Sequence, residues 1–128
     1  MRGILDTSIF IATEQGRPLA TESLPEMAAI SVVTLAELEL GVQLAVSESN
    51  REARLRTLRS TQLAYVALPV DQAVASAFAR LVAAARRAGR RPRVQDTWIA
   101  ATALVQNAPV YTQDGDFDGL PDIEVVRV

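Results

Sequence analysis

The chain has 128 residues, 49% of them hydrophobic, with 13 basic and 15 acidic side chains and a formal net charge of −2. That is enough apolar material for one compact domain spanning 1–128, too few charges for disorder, and too even a balance for a general nucleic-acid coat protein. All 13 basic residues are Arg, and His, Cys and Lys are absent, which excludes disulfides, zinc fingers, thiol catalysis and imidazole acid–base chemistry.

In chain order, Gly3–Leu5 reads as a short strand that ends at Asp6 and feeds a helix running to about Gln15, stopped by Gly16 and Pro18. Ala28–Val33 is β-branched enough for a strand, and Thr34 is an N-cap candidate for a helix to about Val46. Leu35, Leu38, Val42 and Ala45 share one face of that helix. Asn50–Gln62 is amphipathic, carrying Arg51, Arg54, Arg56 and Arg59, read as solvated. Tyr65–Leu68 reads as a strand ending at Pro69. Asp71 caps a long Ala-rich helix to about Ala88, stopped by Gly89. Asp96–Gln106 is a further helix, and Ala108–Thr112 and Ile123–Val128 are strands. Strands separated by helices predict an α/β fold, a three-layer α/β/α sandwich with a central, mainly parallel sheet. No apolar run reaches the ~18 residues of a membrane span. The start, Met1-Arg2-Gly3 followed by an apolar segment broken at Asp6, does not read as a signal peptide, so the cytoplasm is the expected location.

Four acids stand at points where strands end, helices begin or a helix face turns inward: Asp6, Glu37, Asp96 and Asp116. Glu37 and Glu39 lie roughly 200° apart on a helix, so they cannot share a face, and Glu39 is read as the solvent residue. The absent side chain at Gly41, one turn beyond Glu37, leaves room for an approach. Asp96 has Ile99, Ala100 and Ala103 along its stripe and is read as facing inward. Asp6 follows a strand, where ligands of open α/β sheets bind. Taken alone, Asp6 or Asp96 is more often a simple N-cap, Glu37 a surface residue, and the 114–118 loop ordinary turn chemistry. Together they make a shared pocket the better reading. Carboxylates converging without Lys or His repel one another, and a hard divalent ion with oxygen ligands, Mg²⁺ or Mn²⁺, resolves that repulsion.

Four segments carry a resemblance: Leu5-Asp6-Thr7-Ser8, Thr34-Leu35-Ala36-Glu37-Leu38, Gln95-Asp96-Thr97-Trp98-Ile99-Ala100-Ala101, and Thr112-Gln113-Asp114-Gly115-Asp116-Phe117. Their order and spacing over essentially the whole chain resemble the PIN-domain nucleases, above all the VapC-type toxins of toxin–antitoxin pairs. The resemblance implies a metal-dependent endoribonuclease whose acidic quartet carries over to Asp6, Glu37, Asp96 and Asp116. Asp6, Asp96 and Asp116 would hold the metal, and Glu37 would act as general base or orient water. Asp116 is preferred because it precedes Phe117, as in the family's Asp-Phe pair. Asp114 is the reserve, and Asp118 is read as solvent. Ser8 either hydrogen-bonds a carboxylate or packs the helix start.

The resemblance further implies an RNA substrate, a cognate VapB-type antitoxin and a homodimer or higher toxin–antitoxin assembly. The antitoxin would cover a groove on the helices at 7–15 and 34–46, where Ile9, Phe10, Leu40 and Leu44 exceed one core face's needs. Arg86, Arg87, Arg90, Arg91 and Arg93 fall within eight residues just before Asp96. They read either as cations favouring a helix C-terminus or as an RNA-phosphate rim. Trp98 and Phe78 read as core, with Tyr65 and Tyr111 as the aromatics free to meet a base. Receiver-like domains and haloacid-type phosphatases need a Lys that is absent, and no P-loop motif occurs. The remaining alternative is a non-catalytic metal-binding α/β interaction module.

Overall fold

A computed structural model describes residues 2–128. Five short strands form one sheet: β1 (Arg2–Leu5), β2 (Met27–Ser31), β3 (Ala67–Leu68), β4 (Val110–Thr112) and β5 (Val125–Arg127), in the order β3-β2-β1-β4-β5. Every neighbouring pair is parallel, as expected where helices connect buried strands. The chain builds outward from β1 through β2 to β3, then returns to place β4 on the other side of β1. The order therefore reverses between β1 and β4, which opens a crevice beyond their carboxyl ends.

Alternation along the strands divides the interior in two. Ile4, Ala29, Leu68, Val110 and Val125 face the layer built from α4 (Gln72–Arg87) and α5 (Val94–Gln106). Leu5, Ile30, Ala67, Tyr111 and Val126 face α1 (Thr7–Glu14), α2 (Val32–Gln43) and α3 (Glu48–Ala64). A period of two thus assigns each strand residue to one core or the other. Gly3 lies on the second face directly under Tyr111, whose ring fills the place a Cβ would take. Tyr111 is accordingly buried, not free to meet a base, and Tyr65 is half-buried with its ring edge-on to Phe10.

Several boundaries move for physical reasons. The second strand stops at Ser31, whose hydroxyl accepts from the Val33 N–H at 3.0 Å and caps α2. Thr34 is therefore a buried residue of the helix's first turn, not its cap. The β-branched pair Val32-Val33 suits a strand, yet Val33 is needed inside the helix to pack against the α4–α5 core. Ser47 caps α3 two residues before the expected start, and α5 begins at Val94, which puts Asp96 in its first turn. Between β4 and β5 there is no helix. The connection is tied down by Phe117 and Leu120, both buried in the α4–α5 core. Gly41 opens no space either: its carbonyl accepts from Arg54 Nη1 at 2.7 Å, and the Arg54 stem lies over it.

Candidate active site

The crevice between β1 and β4 is lined by hydroxyls that organise carboxylates. Asp6 ends β1 and is 2% exposed. Its Oδ2 accepts from the Ser8 hydroxyl at 2.7 Å, the Thr112 hydroxyl at 2.9 Å and the Ser8 N–H at 3.3 Å. Asp6 is thus the N-cap of α1 and a member of the acidic group at once, and Ser8 serves both of its expected roles. Each hydroxyl spends its single proton on Asp6 and accepts in turn from the loop backbone: Ser8 from the Gln113 N–H and Thr112 from the Asp114 N–H, both at 3.0 Å. The loop after β4 is therefore hung on Asp6 through two hydroxyls. With these bonds gathered on Oδ2, the other oxygen, Oδ1, is left for a further ligand.

Glu37 sits half-buried on α2, one turn beyond buried Thr34. Thr7 Oγ1 lies 2.7 Å from Glu37 Oε1 and 3.0 Å from Thr34 Oγ1, and with one proton it donates to the carboxylate. Burial pushes the Glu37 carboxyl above its usual range; the bond from Thr7 opposes this, and the charges of Asp6 and Asp114 add to it. Glu39 is exposed.

Asp96 carries the sharpest signal. It is 7% exposed, and its Oδ2 is buried without a hydrogen-bond partner. Its pKa is pushed from 3.8 up to about 7, first by burial and then by Asp6, with Asp116 and Glu37 adding to the repulsion. Arg93 opposes the shift, its Nε standing 3.7 Å from that oxygen and its Nη1 3.3 Å from Asp116 Oδ2. Asp114, half-buried in the loop, is raised by burial, Asp6 and Asp116. Asp116 adds to the repulsion on Asp96, and Asp114 to that on Glu37. Asp118 is exposed and faces Arg127 at 3.8 Å.

The structure therefore brings Asp6, Glu37, Asp96, Asp114 and Asp116 into one electrostatic field at the switch point. It does not close them into a finished cage: among the described residues, no group of three or more acids stands ready to hold an ion. Mutual repulsion keeps uncompensated carboxylates apart, and a small hard cation takes only one or two of them, filling its shell with water and phosphate oxygens. The donors present fit such a cation. All are oxygens, one is orphaned and buried, and Asp6 retains an oxygen outside its hydrogen bonds.

Hydroxyls position the acids: Thr7 and Thr112, to which the sequence assigns no role, and Thr34, whose expected capping role falls to Ser31. Thr112 carried one available signal, as the last residue of a strand before an acidic loop. Of the apolar residues assigned to a partner groove, Ile9 and Phe10 are buried in the core, while Leu40 and Leu44 are 56% and 67% exposed. Trp98 and Phe78 stack at 3.8 Å and pack on the core as expected. Arg86 and Arg87 occupy the last turn of α4; with Arg90 and Arg91 they are exposed, and none of the four has an ion-pair partner among the described residues. No described helix is long and apolar enough to cross a membrane.

A sequence model for the PIN domain matches residues 3–123. "Ribonuclease VapC5" of Mycobacterium tuberculosis is 47% identical over 129 residues, covering 98% of this chain and 95% of that protein. "Ribonuclease VapC" of Rickettsia bellii is 30% identical over 98% of this chain and 95% of its own length. Among solved structures, a member of the VapBC family of toxin–antitoxin systems, VapBC-5 from Mycobacterium tuberculosis, superposes with a TM-score of 0.91. It shares 43% identity and covers 99% of this chain and 98% of its own.

Proposed function

The chain belongs to the PIN-domain family, and from that premise we propose that it is the ribonuclease toxin of a toxin–antitoxin pair, hydrolysing RNA phosphodiester bonds at the acidic crevice. The observation that carries this reading is the Oδ2 of Asp96, buried without a hydrogen bond and faced only by the distant Arg93 Nε, among acids that raise its pKa. A folded chain retains such an arrangement, against its cost, where a cation and a phosphate complete it.

Asp6, Asp96 and Asp116 would hold the divalent ion, Mg²⁺ or Mn²⁺, with Asp114 as the alternative loop ligand. When bound, the ion polarises a phosphoryl oxygen and eases deprotonation of water. Glu37 is the general base. Burial raises its proton affinity toward the working range, and Thr7 fixes Oε1, so the carboxylate keeps one orientation toward the attacking water. Ser8 and Thr112 do no chemistry; they fix Asp6 and the loop that carries Asp114 and Asp116. Arg86, Arg87, Arg90, Arg91 and Arg93 face the RNA backbone as bidentate donors.

The partner is a VapB-type antitoxin. Exposed Leu40 on α2 and Leu44 at its C-cap, with Val46 just beyond at 96% exposure, form the apolar strip it covers. The assembly is a homodimer or a larger toxin–antitoxin complex, and the working compartment is the cytoplasm, where RNA is met. Purified chain is expected to cleave single-stranded RNA with Mn²⁺ and to stop when chelator is added. Asp6→Asn and Asp96→Asn each remove cleavage while circular dichroism stays native. Normal cleavage by either folded variant would remove the assignment, and metal binding without cleavage by the parent chain would favour a non-catalytic module.

A further inference from the structure

On the α4–α5 side of the molecule lies a second concavity, of about 700 Å³. It is formed where the C-terminus of α4 turns through residues 88–93 into α5. Its apolar wall comes from Phe78 and Val82 on α4 and from Pro92 and Val94 at the turn into α5. Arg86, Arg90 and Arg91 also line it, the Arg90 guanidinium reaching across to Gly119. Two of its features tie it to the acidic crevice. Thr97, in its lining, directly follows Asp96 and donates to the Arg93 carbonyl at 2.7 Å. Arg93, between the lining residues Pro92 and Val94, reaches both Asp96 and Asp116. The cavity and the acidic crevice thus share the segment 92–97.

The combination is specific. A phosphate-only patch has no use for an apolar wall. A buried hydrophobic partner has no use for three cations that form no ion pair among the described residues. A single-stranded nucleotide has both a flat apolar base and flanking negative charge. Arg86, Arg90 and Arg91 make no ion pair among the described residues, so their charge is available to a ligand.

We propose that this cavity is a nucleobase subsite: one unstacked base of the RNA rests against Phe78, Val82, Pro92 and Val94 while Arg86, Arg90 and Arg91 hold the phosphates on either side. The inference rests on the ribonuclease reading but concerns binding, so it is tested with chelator present and no cleavage occurring. The probes are fluorescently labelled short RNA homopolymers and a ribose-phosphate strand of equal length lacking bases, compared by anisotropy. The native chain is expected to prefer the base-bearing strand by about tenfold, the loss associated with one stacked base. Val94→Gln, at a residue 58% exposed, should shrink that preference severalfold while leaving affinity for the baseless strand unchanged. Val82→Gln is the second variant, and thermal unfolding reports whether each is folded. Arg90→Glu with Arg91→Glu should weaken both strands together and flatten the salt dependence.

Equal affinity for the two strands in the native chain would overturn the subsite, as would a base preference that both wall variants leave intact. Displacement of RNA by poly-glutamate of matched charge, as effective as by unlabelled RNA, would also overturn it, leaving a cationic patch that takes acidic peptides. Cleavage of the same RNA with Mn²⁺, scored separately, tells these failures apart from failure of the ribonuclease reading itself.

Discussion

Replacing Asp96 with Asn should stabilise the metal-free protein, and the size of the gain should depend on pH. In the folded chain Asp96 keeps its proton to about pH 7, whereas the unfolded chain releases it near 3.8. Between those values the folded state binds one more proton than the unfolded state, so the contribution of Asp96 to stability falls as pH rises and is gone above about pH 7. At about 1.4 kcal/mol per pH unit, the whole window corresponds to about 4 kcal/mol, and the portion between pH 5 and pH 8 to about 3 kcal/mol. The Asn side chain has no such titration. Asp6, Asp116 and Glu37 repel Asp96, so the difference between variant and parent reports the burial of Asp96 together with its repulsion by those three acids. The assay is urea unfolding of both proteins with chelator at a series of pH values. The stability gap in favour of Asp96→Asn should widen by about 3 kcal/mol from pH 5 to pH 8. At pH 8, Mn²⁺ should restore the parent more than the variant. Parallel stability curves would show that Asp96 ionises without hindrance, and the argument from its buried oxygen would be lost.

Two further outcomes follow from the geometry. Arg93 places a guanidinium between Asp96 and Asp116, where it competes with a divalent ion. Arg93→Gln should tighten Mn²⁺ binding by up to about fivefold in calorimetry, a modest effect because Arg93 is 69% exposed and exposed pairs are weak; unchanged or weaker affinity would remove Arg93 from that competition. Thr112→Val deletes a donor to Asp6 and an acceptor for the Asp114 N–H. It should cost about 1–3 kcal/mol in urea unfolding and slow cleavage by displacing the loop, whereas native stability and rate would show that the loop is held by other means.

The strand–helix alternation and the positions of Asp6, Glu37 and Asp96 were legible because each depends on local chemistry: a strand that stops at an acid, an inward helical stripe, a cap. What escaped depended on pairs distant in sequence. Thr34 has the composition of a cap, yet its burial is decided by Thr7, 27 residues earlier. Tyr111 has a polar tip that suggests exposure, but the bare Gly3 on the neighbouring strand takes in its ring. Ile9 and Phe10 looked surplus to one helix face because α1 is covered more broadly than a simple amphipathic helix, meeting both the sheet and α3. Nothing local could show that the second strand yields to a helix at Val32, since that choice is made by the core against which Val33 packs.

The tether from Asp6 to Thr112 spans 106 positions. Ser8, two residues away, can hold the Asp6 carboxylate from the start, but the second hydroxyl reaches it only once β4 has slotted in beside β1. Assembly of the catalytic crevice is thereby coupled to closure of the sheet, and a chain that has not paired these two strands lacks half of that clamp.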